Sequence, residues 1–170
     1  MQKFDTKMLV TAAILVAMAI ILSRFCSINA WNIKIGFTFV PIVVAAYLYG
    51  PVVAGFVAGV ADLLGALLFP IGPYFPGFTL TAVLSGILFG ILLHKKQTVV
   101  RIIAAVSINQ LVLGLLVNTF WISILYGSPF SALFAVRIVQ CAVLLPVEFV
   151  VISAICKVFS KYGSRVLIGS

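Results

Sequence analysis

The sequence predicts an all-α integral membrane protein: a compact bundle of six transmembrane helices, one membrane domain over residues 1–170, with both termini on the cytoplasmic side. Three observations carry that expectation. Of the 170 residues, 64% are hydrophobic and 8% charged, and the mean hydropathy is +1.32. A soluble domain of this size could not hide so much apolar surface, so lipid is the solvent. The apolar residues fall in six runs, at about 7–24, 36–49, 52–68, 78–94, 99–126 and 130–160. Lastly, the basic residues gather at the ends of those runs. Backbone groups in lipid must be bonded within their own segment, which favours six helices over a barrel.

The first run follows Lys3 and Lys7, as a secretory leader would. Arg24 and the bulky Phe25 come after it with no small-x-small cleavage site, so it reads as a retained helix. The second and third runs are short against the roughly 20 residues of a helical span. Only Tyr49, Gly50 and Pro51 separate them, a tight helical hairpin. Between the third and fourth runs lies "FPIGPYFPG", residues 69–77, with prolines at 70, 73 and 76 and four rings, Phe69, Tyr74, Phe75 and Phe78, in or beside it. Proline fixes φ, so this segment is expected to be a preorganised lid or wall. Gly55 and Gly59, and Gly86 and Gly90, have the small-xxx-small spacing of closely packed helices. His94, Lys95 and Lys96 end the fourth run, a favourable place for cations at a helix C-terminus. The fifth and sixth runs are long enough to tilt or protrude, and Pro146 is expected to kink the sixth.

Placing the N-terminus inside puts Lys3, Lys7, Lys95, Lys96, Arg101, Lys157, Lys161 and Arg165 in the cytoplasm, as the positive-inside rule asks. Topology therefore explains the net charge of +8, and no basic face exists for nucleic acid. The loops at 24–35, 69–77 and 126–129 then lie outside. Cys26, Cys141 and Cys156 have no metal-ligand spacing, and His94 is the sole histidine. There is no G-x-x-x-x-G-K-[ST], no H-E-x-x-H, and no Ser/His/Asp set or paired catalytic carboxylates on one outer stripe. The chain does not read as an enzyme, and it needs no cofactor.

What remains are polar residues in apolar surroundings. Arg24 and Lys34 fall outside, where each either snorkels to lipid phosphate or, with Trp31, Asn29 and Asn32 between them, caps an anion. Asp62 lies deep in the third helix, at a cost of about 3 kcal/mol by insertion scales. It either faces a ligand, on one stripe with Phe69, or pairs with Arg137; the two are not exclusive. Asn118 and Trp121 lie toward the outer end of the fifth helix, as helix glue or as ligand contacts. Gln110, deeper, reads as glue. Arg137, Gln140, Cys141, Leu144 and Glu148 share a face of the sixth helix, where Glu148 is expected to pair with a neighbouring helix. An outer pocket of these groups would suit stacked rings at Phe69, Tyr74, Phe75 and Trp121. It would offer a carboxylate for a donor edge, and cations for an anionic tail.

The stretch "ADLLGALLFPIGPYFPGFTLTA", residues 61–82, and "IGFTFVPIVVAAYLYGPVVAGFVAG" before it resemble the substrate-binding S components of energy-coupling factor (ECF) vitamin transporters, most of all the folate-type members. The resemblance covers essentially the whole chain. It implies a six-helix vitamin-binding protein of the bacterial plasma membrane that captures folate on the outer face. It also implies partners: a transmembrane coupling protein (T component) and two ATP-binding cassette subunits that hydrolyse ATP. In that family an Ala-x-x-x-Ala motif on the first helix packs against the coupling protein, and Ala13 and Ala17 match it. The implied pose stacks the pterin near Asp62 and Phe69, with the glutamate carboxylates toward Arg24 and Lys34. A different aromatic or anionic vitamin, or a non-transporting scaffold role, are the alternative readings.

Overall fold

The computed structural model describes residues 6–30, 33–70 and 72–167, and side chains at 6–27, 36–70 and 72–161. In chain order it comprises α1 (Thr6–Arg24), a hairpin of β1 (Ser27–Ala30) and β2 (Ile33–Gly36), α2 (Phe39–Tyr49), α3 (Pro51–Leu68) and α4 (Pro76–Leu93), then α5 (Val99–Tyr126) and α6 (Phe130–Leu167). Five of these helices are long and apolar enough to cross a membrane. The expectation of six spans is corrected at α2, which has 11 residues and so rises about 16 Å, roughly half a hydrocarbon core. It is a short helix with Val43, Ala45 and Ala46 fully buried. The hairpin is a second departure from an all-helical chain. Its strands pair antiparallel, Ser27 opposite Gly36 and Asn29 opposite Lys34.

Proline and glycine set the helix ends. Pro51 and Pro76 open α3 and α4, positions where a missing N–H costs nothing. Gly50 adopts φ +84°, which lets α2 turn directly into α3, and Gly127 at φ +62° closes α5. Phe75, before Pro76, has φ −134° and ψ 124°, the extended backbone that proline imposes on its predecessor, and Phe69, before Pro70, is likewise held outside the helical region at φ −132° and ψ 69°. Between Ile108 and Val117 α5 is wound as a π-helix, a form that recurs at functional sites. Pro146 lies within α6.

The closest helix pair is α3 with α4. A Cβ on Gly86 would collide with the Ala54 carbonyl, and one on Gly90 with Pro51, while Gly55 and Gly59 face Ile87 and Val83 at 2.9 and 2.6 Å from the same imagined atom. At Gly86 and Gly90 main chain thus meets main chain, and Gly55 and Gly59 leave room for the side chains of Ile87 and Val83. Overpacking such a seam costs about 1–3 kcal/mol or more. Gly86→Val is therefore expected to lower the melting temperature of the detergent-purified protein by several degrees, and an unchanged melting curve would contradict this packing.

The bundle is filled unevenly along its length. The apolar core joins the first half of α1 (Met8, Ala12, Leu15), α2, the start of α3 (Val53 to Ala58), and the ends of α4 and α6 (Phe89, Leu93, Ile152, Cys156), with Ile102, Ala105 and Val106 of α5. All belong to one end of the molecule. That end also carries Lys7, Lys95, Lys96, Arg101, Lys157 and Lys161. The opposite half, under the hairpin and the proline segment, is hollow.

Candidate functional site

The hollow half encloses a cavity of about 640 Å³, within the 300–1,000 Å³ usual for small-molecule sites. Every helix contributes to its lining: Arg24 from α1, Phe39 and Ile42 from α2, Asp62 and Ala66 from α3. From α4 come Phe78, Thr81 and Ser85, from α5 Asn109, Gln110, Asn118 and Tyr126, and from α6 Arg137, Leu144 and Glu148. Gly72, Pro73, Tyr74 and Phe75 of the proline segment close one side.

Arg24 ends α1 and turns its guanidinium over α3. Gly65 makes the room: a Cβ there would stand 3.0 Å from Arg24 Nε. The charge interacts with Asp62 on the same helix. Asp62 Oδ2 also accepts a 2.8 Å hydrogen bond from Thr79 Oγ1. Since that hydroxyl has one proton, the 3.3 Å contact between Tyr74 and Thr79 is donated by the Tyr74 phenol. Tyr74, Thr79 and Asp62 thus form one chain that ties the proline segment to α3. Among the described residues Arg24, and not Arg137, is the cation whose charge acts on Asp62.

Arg137 is buried, 6% exposed, and its Nε and Nη1 donate to no partner among the described residues. Arg24 Nε, Thr38 Oγ1 and Asn118 Oδ1 are likewise buried and unbonded there. All four residues line the cavity. Buried polar atoms are satisfied in nine cases of ten or more, so a group of orphans around one cavity needs an explanation. A polar ligand, bound among them, supplies one. Deeper down, Glu148 Oε1 accepts 2.7 Å from Gln110 Nε2 and Oε2 accepts 3.3 Å from Asn109 Nδ2. Glu148 does pair with a neighbouring helix, and it faces the cavity as well.

Of the residues singled out in the sequence, Arg24, Asp62, Tyr74, Phe75, Asn118 and Arg137 line this cavity. Phe69 does not. The helix ends at Leu68, so the stripe from Asp62 does not reach Phe69, whose half-exposed ring packs edge-on against Phe25 at 5.4 Å. Trp121 stands behind the wall: its Nε1–H donates to Thr81 Oγ1 at 3.1 Å, and its ring lies 5.5 Å from that of Phe75. Gly77 is pressed against the same indole, with 2.6 Å from an imagined Cβ to Cδ2. The Lys34 backbone lies in β2, and Trp31 falls outside the described residues. Gln110 and Glu148 were expected to hold helices together, and the structure adds them to the cavity. Their signal in the sequence is position, Gln110 at helical spacing with Asn118 on α5 and Glu148 on the α6 stripe with Arg137.

A second concavity, of about 390 Å³, lies on the outer surface of α1 and α3. Leu9, Ala12, Ala13, Val16, Ala17 and Ile20 form one wall, and Phe56, Val60 and Leu64 the other. Ala13 and Ala17 are exposed on it. It holds almost no polar surface.

Residues 7–156 match the family model described as "ECF transporter, substrate-specific component". The chain is 37% identical over 150 residues to the folate transporter FolT of Clostridium novyi (strain NT), covering 88% of this chain and 87% of that relative. Among solved structures, a crystal structure of FolT bound with folic acid superposes with a TM-score of 0.87 at 32% identity, over 91% of this chain and 95% of that one. The S component of a bacterial ECF transporter superposes with a TM-score of 0.66 at 25% identity, over 95% and 97%.

Proposed function

The chain belongs to the substrate-specific components of ECF transporters, and from that premise we propose that it is a folate-binding one. As such it is a transporter component and not an enzyme. The observation that carries the folate reading is the cavity itself: aromatic walls at Tyr74, Phe75 and Phe78, beside buried cationic and amide atoms without partners among the described residues. Folate matches that inventory, with a flat heterocycle, a benzoyl ring and a dicarboxylate tail. The relatives named for folate support the choice.

The pocket we propose is formed by Arg24, Asp62, Tyr74, Phe75, Asn118 and Arg137, with Lys34 at its mouth and Trp121 buttressing Phe75. Asp62 then balances the charge of Arg24 and anchors Thr79, which bonds its Oδ2. The glutamate end of the ligand lies outward, toward Arg24 and Lys34. The lysines at the packed end support an orientation with both termini inside and the cavity facing out, in the plasma membrane of a bacterium. The partners are a T component and two ATP-binding cassette subunits, and the seat for the T component is the apolar groove at Ala13 and Ala17.

Titration of folic acid into the detergent-purified chain, followed by tryptophan fluorescence or heat, tests this, with riboflavin and biotin as controls. Tight folate binding with a ligand-dependent rise in melting temperature is expected, since a ligand of the native state raises stability. Preference for riboflavin or biotin would reassign the vitamin. Binding of none, by a folded sample, would leave a scaffold role.

A further inference from the structure

We infer that Glu148 is the acceptor for the donor edge of the ligand's heterocycle, and that this ring therefore sits at the floor of the cavity, with Asn109 and Gln110 aiming the carboxylate. The inference rests on the folate reading and places the ligand within it. Glu148 is 4% exposed and lies one turn before the fully buried Ile152, where the cavity gives way to the solid core. Phe89, 1% exposed, lines the same floor.

A carboxylate has about four lone-pair positions, and the two amides occupy two of them. No cation touches it among the described residues. Holding two helices together would need only another amide; an anion buried in a membrane protein is costly unless something further bonds it. Its two open positions suit a pair of parallel donors on a planar group, which carboxylates bind in bidentate fashion. The 2-amino-4-oxo pyrimidine edge of a pterin presents such a pair, its ring N–H beside the 2-amino group. The benzoyl-glutamate end presents none.

The winding of α5 supports the assignment independently. Neighbouring residues on an α-helix point about 100° apart, yet adjacent Asn109 and Gln110 both reach Glu148. They do so from the π-wound segment, where more residues per turn narrow that angle. The Gln110 carbonyl, displaced from the ordinary ladder, accepts a 3.4 Å bond from Cys141 Sγ–H on α6. Depth also fits. Glu148 is 11 residues beyond Arg137 on α6, about three turns or 16 Å further in, which sets the ring inward and the anionic tail outward. Asp62 is the weaker candidate, because Thr79 already bonds its Oδ2 and the charge of Arg24 acts on it.

The test compares folic acid, its 2-desamino-2-methyl analogue and p-aminobenzoyl-glutamate on the full chain and on Glu148→Gln. The wild-type chain is expected to prefer folic acid over the analogue by roughly 10- to 100-fold, the loss of hydrogen bonding to a charged acceptor. Glu148→Gln should bring folic acid down to the analogue's level and leave p-aminobenzoyl-glutamate within about threefold. The wild-type comparison needs no substitution, so it stands even if the variant folds poorly. A wild-type chain indifferent to the 2-amino group would overturn the inference while leaving the folate assignment intact. So would a variant that keeps full discrimination, or one that loses all three ligands alike. Failure of the wild-type chain to bind folic acid at all would instead remove the reading beneath it.

Discussion

The double variant Ala13→Trp/Ala17→Trp is expected to bind folate within about twofold of the parent and to lose uptake by tenfold or more when co-expressed with its coupling module. The two alanines are exposed on α1 and open a groove walled by Phe56, Val60 and Leu64 of α3. In lipid, helices gain little from burying apolar surface against one another, so association depends on close van der Waals approach past small residues. An indole at either position fills the groove and holds a partner helix away. The groove shares no lining residue with the cavity, to which α1 contributes only Arg24, so binding has no reason to change. Folate binding by the purified variant and uptake of labelled folate by cells, measured on the same substitutions, separate the two surfaces. Uptake at the parental rate would place the coupling face elsewhere.

Arg137→Leu is expected to weaken folate binding by about 100-fold or more and, in the absence of ligand, to leave the melting temperature unchanged or higher. The guanidinium is 6% exposed, and two of its nitrogens donate to nothing among the described residues. Burying a charge without partners costs several kcal/mol, and replacing it by a packed apolar side chain is often neutral or stabilising. A ligand that bonds it, however, loses roughly 2–5 kcal/mol when it is truncated. The opposite signs on stability and affinity are the diagnostic. If Arg137 merely pinned helices together, both would fall. Differential scanning fluorimetry and titration on one preparation decide between the two.

Much of the fold was legible because lipid makes hydropathy decisive and because proline and glycine punctuate this chain. The third, fourth and fifth runs end within two residues of α3, α4 and α5, at Pro51, at Pro76 and at the Gly127 turn. The second run, 36–49, is already short for a span, and it loses its start: Gly36 ends β2 and the helix begins only at Phe39, which leaves 11 residues. The alternation of "SINA" and "IKIG" is a period-two signal, too short to outweigh the hydropathy around it. In the cavity, single polar residues on apolar helices were conspicuous one by one, because each is expensive in a bilayer. Which of them meet was not legible. Asp62 faces Arg24 through the space left at Gly65, a relation between helices that no spacing within one helix encodes. The π winding that brings Asn109 and Gln110 together on Glu148 is equally silent.

The glycine seam between α3 and α4 has a mechanical consequence. Where main chain rests on main chain, as at Gly86 on Ala54 and Gly90 on Pro51, there is no layer of side chains that could change rotamer and let one helix slide. The pair behaves as a single stiff keel. It carries Asp62 and Ala66 on one plank and Phe78, Thr81 and Phe89 on the other, so that side of the cavity keeps its shape whatever the rest does. Compliance is left to the partners packed through larger side chains: the widened middle of α5, and α6 beyond it. Any breathing that admits or releases a ligand is therefore one-sided, a hull of fixed planks with a single movable board.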